Sequence, residues 1–274
     1  MWPVPLPVVT RSASRRDVLR YAAVLGPALA LPGVLGATAG APRAGANGLQ
    51  VIDFAHRLVS PDQIKAAGFD GALVYVSELR PGATFDFKPV TRDYADGLRA
   101  AGLQVASCYQ FGKPGWTQSP SDFTRGYDGG VADAQTALRL HIAAGGPPSA
   151  PIYFSVDEDI DATTWKNVAV QWFRGINSVL GVDRTGIYGG ARQCTWAIND
   201  GVIGRSTSPG HRWAWQTRAW SRGDREPAAV LFQRDIVTAT EPGFVIDDVH
   251  VDVNDVLAAD FGQWDLARQQ GELS

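Results

Sequence analysis

Apolar runs of five to nine residues recur along most of the chain, and amphipathic stretches fill the gaps between them. The runs are LQVIDFA (49–55), GALVYVS (71–77), LQVASCYQF (103–111), PIYFSV (151–156), RTGIYG (184–189), RWAWQ (212–216), AVLFQ (229–233) and VHVDV (249–253). Their length and their content of Val, Ile, Tyr and Phe predict strands. Helical patterns follow the first five: SPDQIKAAG, TRDYADGLRAAG, GGVADAQTALRLHIAAGG, DATTWKNVAVQWFRGINSVLG and GARQCTWAIND. Ser60, Thr91 and Asp161 stand where N-caps are needed, and Gly68, Gly102, Gly145 and Gly181 where helices should stop. Strands alternating with helices predict an α/β fold, a (β/α)8 TIM-type barrel whose helices become irregular or missing in the last third. The competing architecture, an open doubly wound sheet, loses ground because no glycine-rich phosphate loop follows the first strand, VIDFAHRLVSPDQ.

The first forty residues read differently. SRRDVLR (14–20) precedes a mildly apolar stretch, YAAVLGPALALPGVLG, and then small residues, ATAGAPRAGA. That order is a charged region, an apolar region and a cleavage zone. Arg15 and Arg16, with Leu19 three residues on, match a twin-arginine export signal, although Val18 replaces the usual Phe. The expected division is a signal peptide over 1–39, with cleavage as late as residue 46, and one barrel domain over 40–274. The twin-arginine machinery is then a partner, and the mature protein is secreted or held in the cell envelope. No later segment has the unbroken apolar length of a transmembrane helix.

Charge narrows the partners. The whole chain carries 25 basic and 28 acidic side chains, a net of −3. Removing residues 1–39 takes away four Arg and one Asp and leaves a net of −6. Nucleic acid attracts basic surfaces, so it is not an expected partner. Two cysteines, Cys108 and Cys194, remain as either an exported disulfide or two buried thiols.

The fourth strand ends in an acid run, Asp157-Glu158-Asp159-Ile160-Asp161. Strand side chains alternate faces. Ile152, Phe154 and Val156 therefore pack outward, while Tyr153, Ser155, Asp157 and Asp159 face the barrel interior. On the last strand Val249, Val251 and Val253 point out, and His250, Asp252 and Asn254 point in. Asp53 lies near the end of the first strand. Acids from three strands thus converge at the carboxyl-terminal face, where barrel enzymes keep their chemistry. Clustered carboxylates raise one another's pKa, so one holds a proton while another stays charged, which is the pairing glycoside hydrolysis requires. Two simpler readings stand beside this one. The acids cap the next helix, which accounts for Asp161 and Glu158, or they bind a hard cation, although no twelve-residue calcium loop is present. The histidines lack metal-site spacing, no G-x-S-x-G occurs, and no metal or organic cofactor is expected. His250 reads as an interior hydrogen-bonding residue. Tyr75, Tyr109, Tyr188, Trp215 and Trp116 fall at or just beyond strand ends, where rings stack on sugars. Gln110, Gln216 and Gln233 bring amides to the same level.

The leader, VIDFA, IYFSVDEDID, GIYGG, WAWQT and VDVND together resemble an exported glycoside-hydrolase-like barrel family of actinobacteria. That family is similar to the family-25, Chalaropsis-type lysozymes, which cleave peptidoglycan. The resemblance implies hydrolysis of a cell-wall glycan, with Asp53, Asp157, Asp159 and Asp252 at the catalytic positions and Asp159 as the proton donor. Asp159 stands where those lysozymes carry Glu, one methylene longer. Tyr75, Tyr109, Gln110, Tyr188, Trp215 and Gln216 are the expected substrate contacts. A non-catalytic glycan-binding barrel and an exported scaffold without a sugar site remain as alternatives.

Overall fold

The computed structural model describes residues 48–83, 85, 87–236 and 243–266, so the expected leader lies outside the described residues. Among the described residues nine strands form: β1 (Gln50–Phe54), β2 (Gly71–Tyr75), β3 (Gln104–Tyr109), β4 (Ile152–Ser155), β5 (Thr185–Gly189), β6 (Arg212–Thr217), β7 (Ala229–Asp235), β8 (Phe244–Ile246) and β9 (Val249–Val256). Strands β1 to β7 pair in parallel in chain order. Strand β9 runs antiparallel between β7 and β1 and closes an eight-stranded ring, while β8 pairs only with β9.

Helices follow β1 to β5, as expected. They are α1 (Pro61–Ala66), α2 (Arg92–Ala100), α3 (Gly126–Ala143), α4 (Ala162–Thr164) continuing through a π-helical turn into α5 (Val170–Leu180), and α6 (Ala191–Asn199). The caps sit where the sequence places them. Ser60 Oγ accepts from Gln63 N, Thr91 Oγ1 from Tyr94 N and Asp161 Oδ1 from Thr164 N. Gly102 and Gly145 end α2 and α3 with φ of 72° and 92°.

In the last third the helices are missing, as the sequence suggested, but the antiparallel β9 departs from the (β/α)8 arrangement. Among the described residues no helix lies between β6 and β7 or after it. After β7 the reason is the direction of β9, whereas β6 and β7 are parallel and are joined without a helix. A parallel neighbour needs a crossover, usually a helix, whereas an antiparallel neighbour is reached from the same rim. Asp247 and Asp248, with φ of 49° and 59°, make the two-residue turn from β8 into β9.

The core has two layers. Inside the ring, Tyr153 packs its ring edge-on against Trp215 and donates its hydroxyl to Phe261 O at 2.6 Å. Outside it, Phe154 meets Trp172 of α5. The chain after β9 runs from Phe261, whose carbonyl meets Tyr153, to the outer face of β3, where Trp264 packs on His141 of α3. Trp264 N donates to Val105 O at 2.8 Å, and Trp264 Nε1 to Ser107 Oγ at 3.0 Å. Each large apolar side chain so buried contributes roughly 1.5–3 kcal/mol.

Helices α3 and α5 cross backbone to backbone. A Cβ on Gly130 would lie 2.0 Å from Trp172 O, and one on Gly175 would lie 2.1 Å from Tyr127 O. Gly130→Ala must push the two helices apart. It should lower stability by roughly 1–3 kcal/mol in urea unfolding, the usual range for overpacking. A change within error would mean that the crossing is loose.

Candidate functional site at the carboxyl-terminal rim

Asp53 reaches the ring interior near the end of β1, paired in register with Asp252 of β9. Asp252 lies in the first half of β9 and not near its carboxyl end. Because β9 is reversed, its early residues share the rim with the late residues of β1. Gln233 Nε2, from β7, donates to Asp53 Oδ2 at 2.8 Å and to Asp252 Oδ2 at 3.0 Å. One amide nitrogen thus bridges two carboxylates with its two protons. Asn254 Nδ2 adds a bond to Asp53 Oδ2 at 2.9 Å. The amides are themselves oriented. Tyr188 OH donates to Gln233 Oε1 at 2.8 Å, and Trp215 Nε1 to Asn254 Oδ1 at 2.6 Å. Each amide oxygen is occupied by a ring donor, so each amide nitrogen is turned towards acid.

Two cavities open here. One is lined by Asp53, Gln110, Ser155, Cys108 and the rings of Tyr75, Tyr188 and Trp215. The other shares Tyr75 and Gln110 with the first and adds Asp157, Lys88 and the half-buried Arg80 and Lys113. Gln110 Nε2 donates to Asp157 Oδ2 at 3.0 Å, which ties the acid of β4 to the shared wall. Lys88 Nζ donates to Gln110 O and lies 4.3 Å from the centre of the Tyr75 ring. Burial lowers the Lys88 pKa to about 7.

Of the expected site residues, Asp53, Asp157, Asp252, Tyr75, Gln110, Tyr188 and Trp215 come together at this rim. Three do not. Asp159 lines neither cavity; it lies between Arg192, which holds Oδ1, and Arg222, which holds Oδ2 at 2.9 Å. Tyr109 is a correction of parity. Cys108 and Gln110 face the lumen, so the residue between them faces out. Its hydroxyl donates to Asp133 Oδ1 of α3 at 2.6 Å. Gln216 alternates with Trp215 in the same way. It braces the next loop, donating to Ser221 Oγ and Asp224 O and accepting from Glu226 N.

His250, expected inside, is exposed on the β8–β9 hairpin beyond the ring. Cys108 and Cys194 are both buried and are not joined in a disulfide. Trp116 sits in an exposed loop, its ring centre 5.6 Å from the Arg80 guanidinium. The residues that reading for acids and rim aromatics missed are Arg80, Lys88 and Lys113. The signal for the second was the FDFKP stretch, a lysine among aromatics. Among the described residues no three His, Cys, Asp or Glu are grouped to hold a metal ion, and no helix is long and apolar enough to cross a membrane.

Outside the ring a buried network supports the Gln110 turn. Asp122 accepts from Phe111 N and Gly112 N, each at 2.8 Å, and pairs with Arg125. Arg125 also pairs with Asp133, which accepts from Trp172 Nε1 at 2.8 Å. Burial, reinforced by Asp122, pushes the Asp133 pKa up to about 6 despite the pull of Arg125. Asp122 is raised for the same first reason.

A closed barrel with amide-held carboxylates and aromatic walls at its carboxyl-terminal rim defines a glycoside-hydrolase-like protein. The chain belongs to the Rv2525c-like, glycoside hydrolase-like domain family, whose profile matches residues 62–256. That span takes in Asp157 and Asp252 and begins after Asp53. The chain is 38% identical over 255 residues to the "Putative peptidoglycan hydrolase Rv2525c" of Mycobacterium tuberculosis, covering 92% of this chain and 99% of that one. Two crystal structures of the Mycobacterium tuberculosis Tat-secreted protein Rv2525c are also similar. The complex with L-tartrate has a TM-score of 0.70 and the complex with HEPES 0.69. Both are 39% identical and cover 78% of this chain and 98% of the other.

Two predictions follow from the outer network. Tyr109→Phe should cost roughly 1–2 kcal/mol in urea unfolding, because a buried carboxylate loses a donor. It should leave glycan affinity unchanged; a large loss of affinity would return Tyr109 to the site. The second concerns pH. A carboxyl raised on folding from 3.8 to about 6 stabilises the fold least once it ionises there. The stability of the wild type relative to Asp133→Asn should fall as pH rises through that window and be level above it. A relative stability that rises with pH would reverse the assignment.

Proposed function

We propose that this protein hydrolyses the glycan strands of peptidoglycan outside the cytoplasm. The observation that carries the reading is the rim itself. Asp53 and Asp252 share the Gln233 amide, and Asp157 stands on the wall of the adjoining cleft. Glycoside hydrolysis needs one carboxyl to protonate the leaving oxygen and negative charge to stabilise the sugar cation that forms. In this reading Asp157 is the proton donor, and Asp53 with Asp252 supplies the fixed charge. Neutral amides hold those two acids without cancelling their charge, a preorganisation that favours a developing cation. Tyr75, Tyr188 and Trp215 offer flat faces for sugar rings. The name of the Mycobacterium tuberculosis relative supports peptidoglycan as the substrate. The Arg15-Arg16 leader, together with the secretion of that relative by the Tat pathway, supports export by the same route.

One observation favours a second reading, glycan binding without cleavage. Asp159, the position the lysozyme resemblance makes the donor, has both carboxylate oxygens held by guanidinium groups. A residue so held braces the loop and delivers no proton while the pairs last.

The test is release of reducing ends from purified peptidoglycan, run beside a binding assay on the same oligomers. Asp157→Asn should lower release by about 10²–10⁴-fold, the usual worth of a positioned general acid. Asp159→Asn should lower it much less. Equal losses in the two variants would return the donor role to Asp159, and binding with no product from the wild type would establish the second reading. For export, changing both Arg15 and Arg16 to Lys should leave precursor inside the cell, measured by fractionation. Unchanged export would remove the twin-arginine assignment.

A further inference from the structure

The cleft beside Asp157 differs in charge from the rest of the rim. Its acid is Asp157, yet Arg80, Lys88 and Lys113 also line it. Three cations gather there in a chain whose net charge is −3. Lys88 is the unusual member. It is 7% exposed, and its amine lies 4.3 Å from the Tyr75 ring centre and 5.5 Å from that of Phe87. Removing an ammonium from water carries a cost that an incoming anion offsets when it supplies charge and hydrogen-bond acceptors. The aromatic surfaces of Tyr75, Phe85 and Phe87 beside these cations suit a ring more than a small free ion.

We propose that this cleft is a subsite for an acidic sugar, one whose ring rests on the aromatic wall while its carboxylate is taken by Lys88, Arg80 and Lys113. The inference rests on the glycan reading above and deepens it by naming a charge requirement at one position. The carboxylate belongs on the cationic wall and the uncharged part of the ligand beside Asp157. The amine loses its charge as pH rises through about 7. The groups that act on it are Arg80, which opposes its charge, and Cys108, Asp122 and Asp157, which favour it. Preference for an acidic sugar should therefore weaken above neutrality.

The experiment is calorimetric titration of the protein with oligosaccharides of equal length. One is neutral, one carries lactyl-ether carboxylates, one carries uronates, and one is the lactyl oligomer with its carboxyls reduced to alcohols. The expected result is about tenfold tighter binding of a carboxylated oligomer than of its neutral or reduced partner, as a charge-assisted contact gives. Comparison of the two acidic arms shows whether an ether-linked or ring carboxylate is taken. The preference should shrink between about pH 6 and about pH 8.5, on either side of the lysine's titration. It should also fall towards unity in Lys88→Met and in Arg80→Met, the latter on the half-buried wall in case the former does not fold. Equal binding of acidic and neutral oligomers overturns the subsite and leaves the glycan reading standing, as does a preference unchanged in both variants. Absence of binding to every oligomer overturns the glycan reading and the subsite with it.

Discussion

The closure of the ring by β9 is the constraint on which the site depends. This strand pairs with β1 on one side and β7 on the other, antiparallel to both. Its register sets Asp252 opposite Asp53 and Asn254 opposite Gln233. A slip of one residue would turn Asp252 and Asn254 out and bring Val251 and Val253 in, because side chains alternate with a period of two. The buried valines oppose that slip, since they pack against the shell around the ring. Hydrophobic burial on one face of β9 thus aims the polar residues on the other.

Three charge environments follow within a short stretch of rim. Asp53 and Asp252 are held by amides, Asp157 faces a cleft with three cations on its lining, and Asp159 is clasped by two arginines. The same side chain has a different use in each. Amide donors fix a carboxylate in place and leave its charge available. Guanidinium partners consume both oxygens and turn the acid into a brace. The contrast between Asp157 and Asp159, two residues apart, is why we propose the former as the proton donor and read the latter as a brace.

The outer network is costly by comparison. Two carboxylates leave water to meet a guanidinium that stays partly exposed, and pairs with buried members add little net stability over well-packed apolar groups. Their use here is positional. Asp122 fixes the backbone at Phe111 and Gly112, next to Gln110, whose side chain holds Asp157. A shift in that turn would move a wall shared by both cavities.

The order of strands and helices, their caps and the acids at strand ends were determined by the sequence alone. Those features rest on local physics: apolar spacing, capping chemistry and the alternation of faces within one strand. The eight runs became ring strands within a few residues of their expected ends, and Ser60, Thr91 and Asp161 cap as their positions required. Parity at strand ends was harder, and Tyr109 and Gln216 fell on the wrong side of it. What only the tertiary structure decided is which distant groups each acid meets. Arg192 and Arg222 lie 33 and 63 residues after Asp159, and Gln233 lies 180 after Asp53. Nor does local sequence carry the direction of β9, because a strand reads alike whichever way it runs in a sheet. Contacts between remote residues exist only once the ring closes, so the electrostatic role of each carboxylate is a property of the closed barrel.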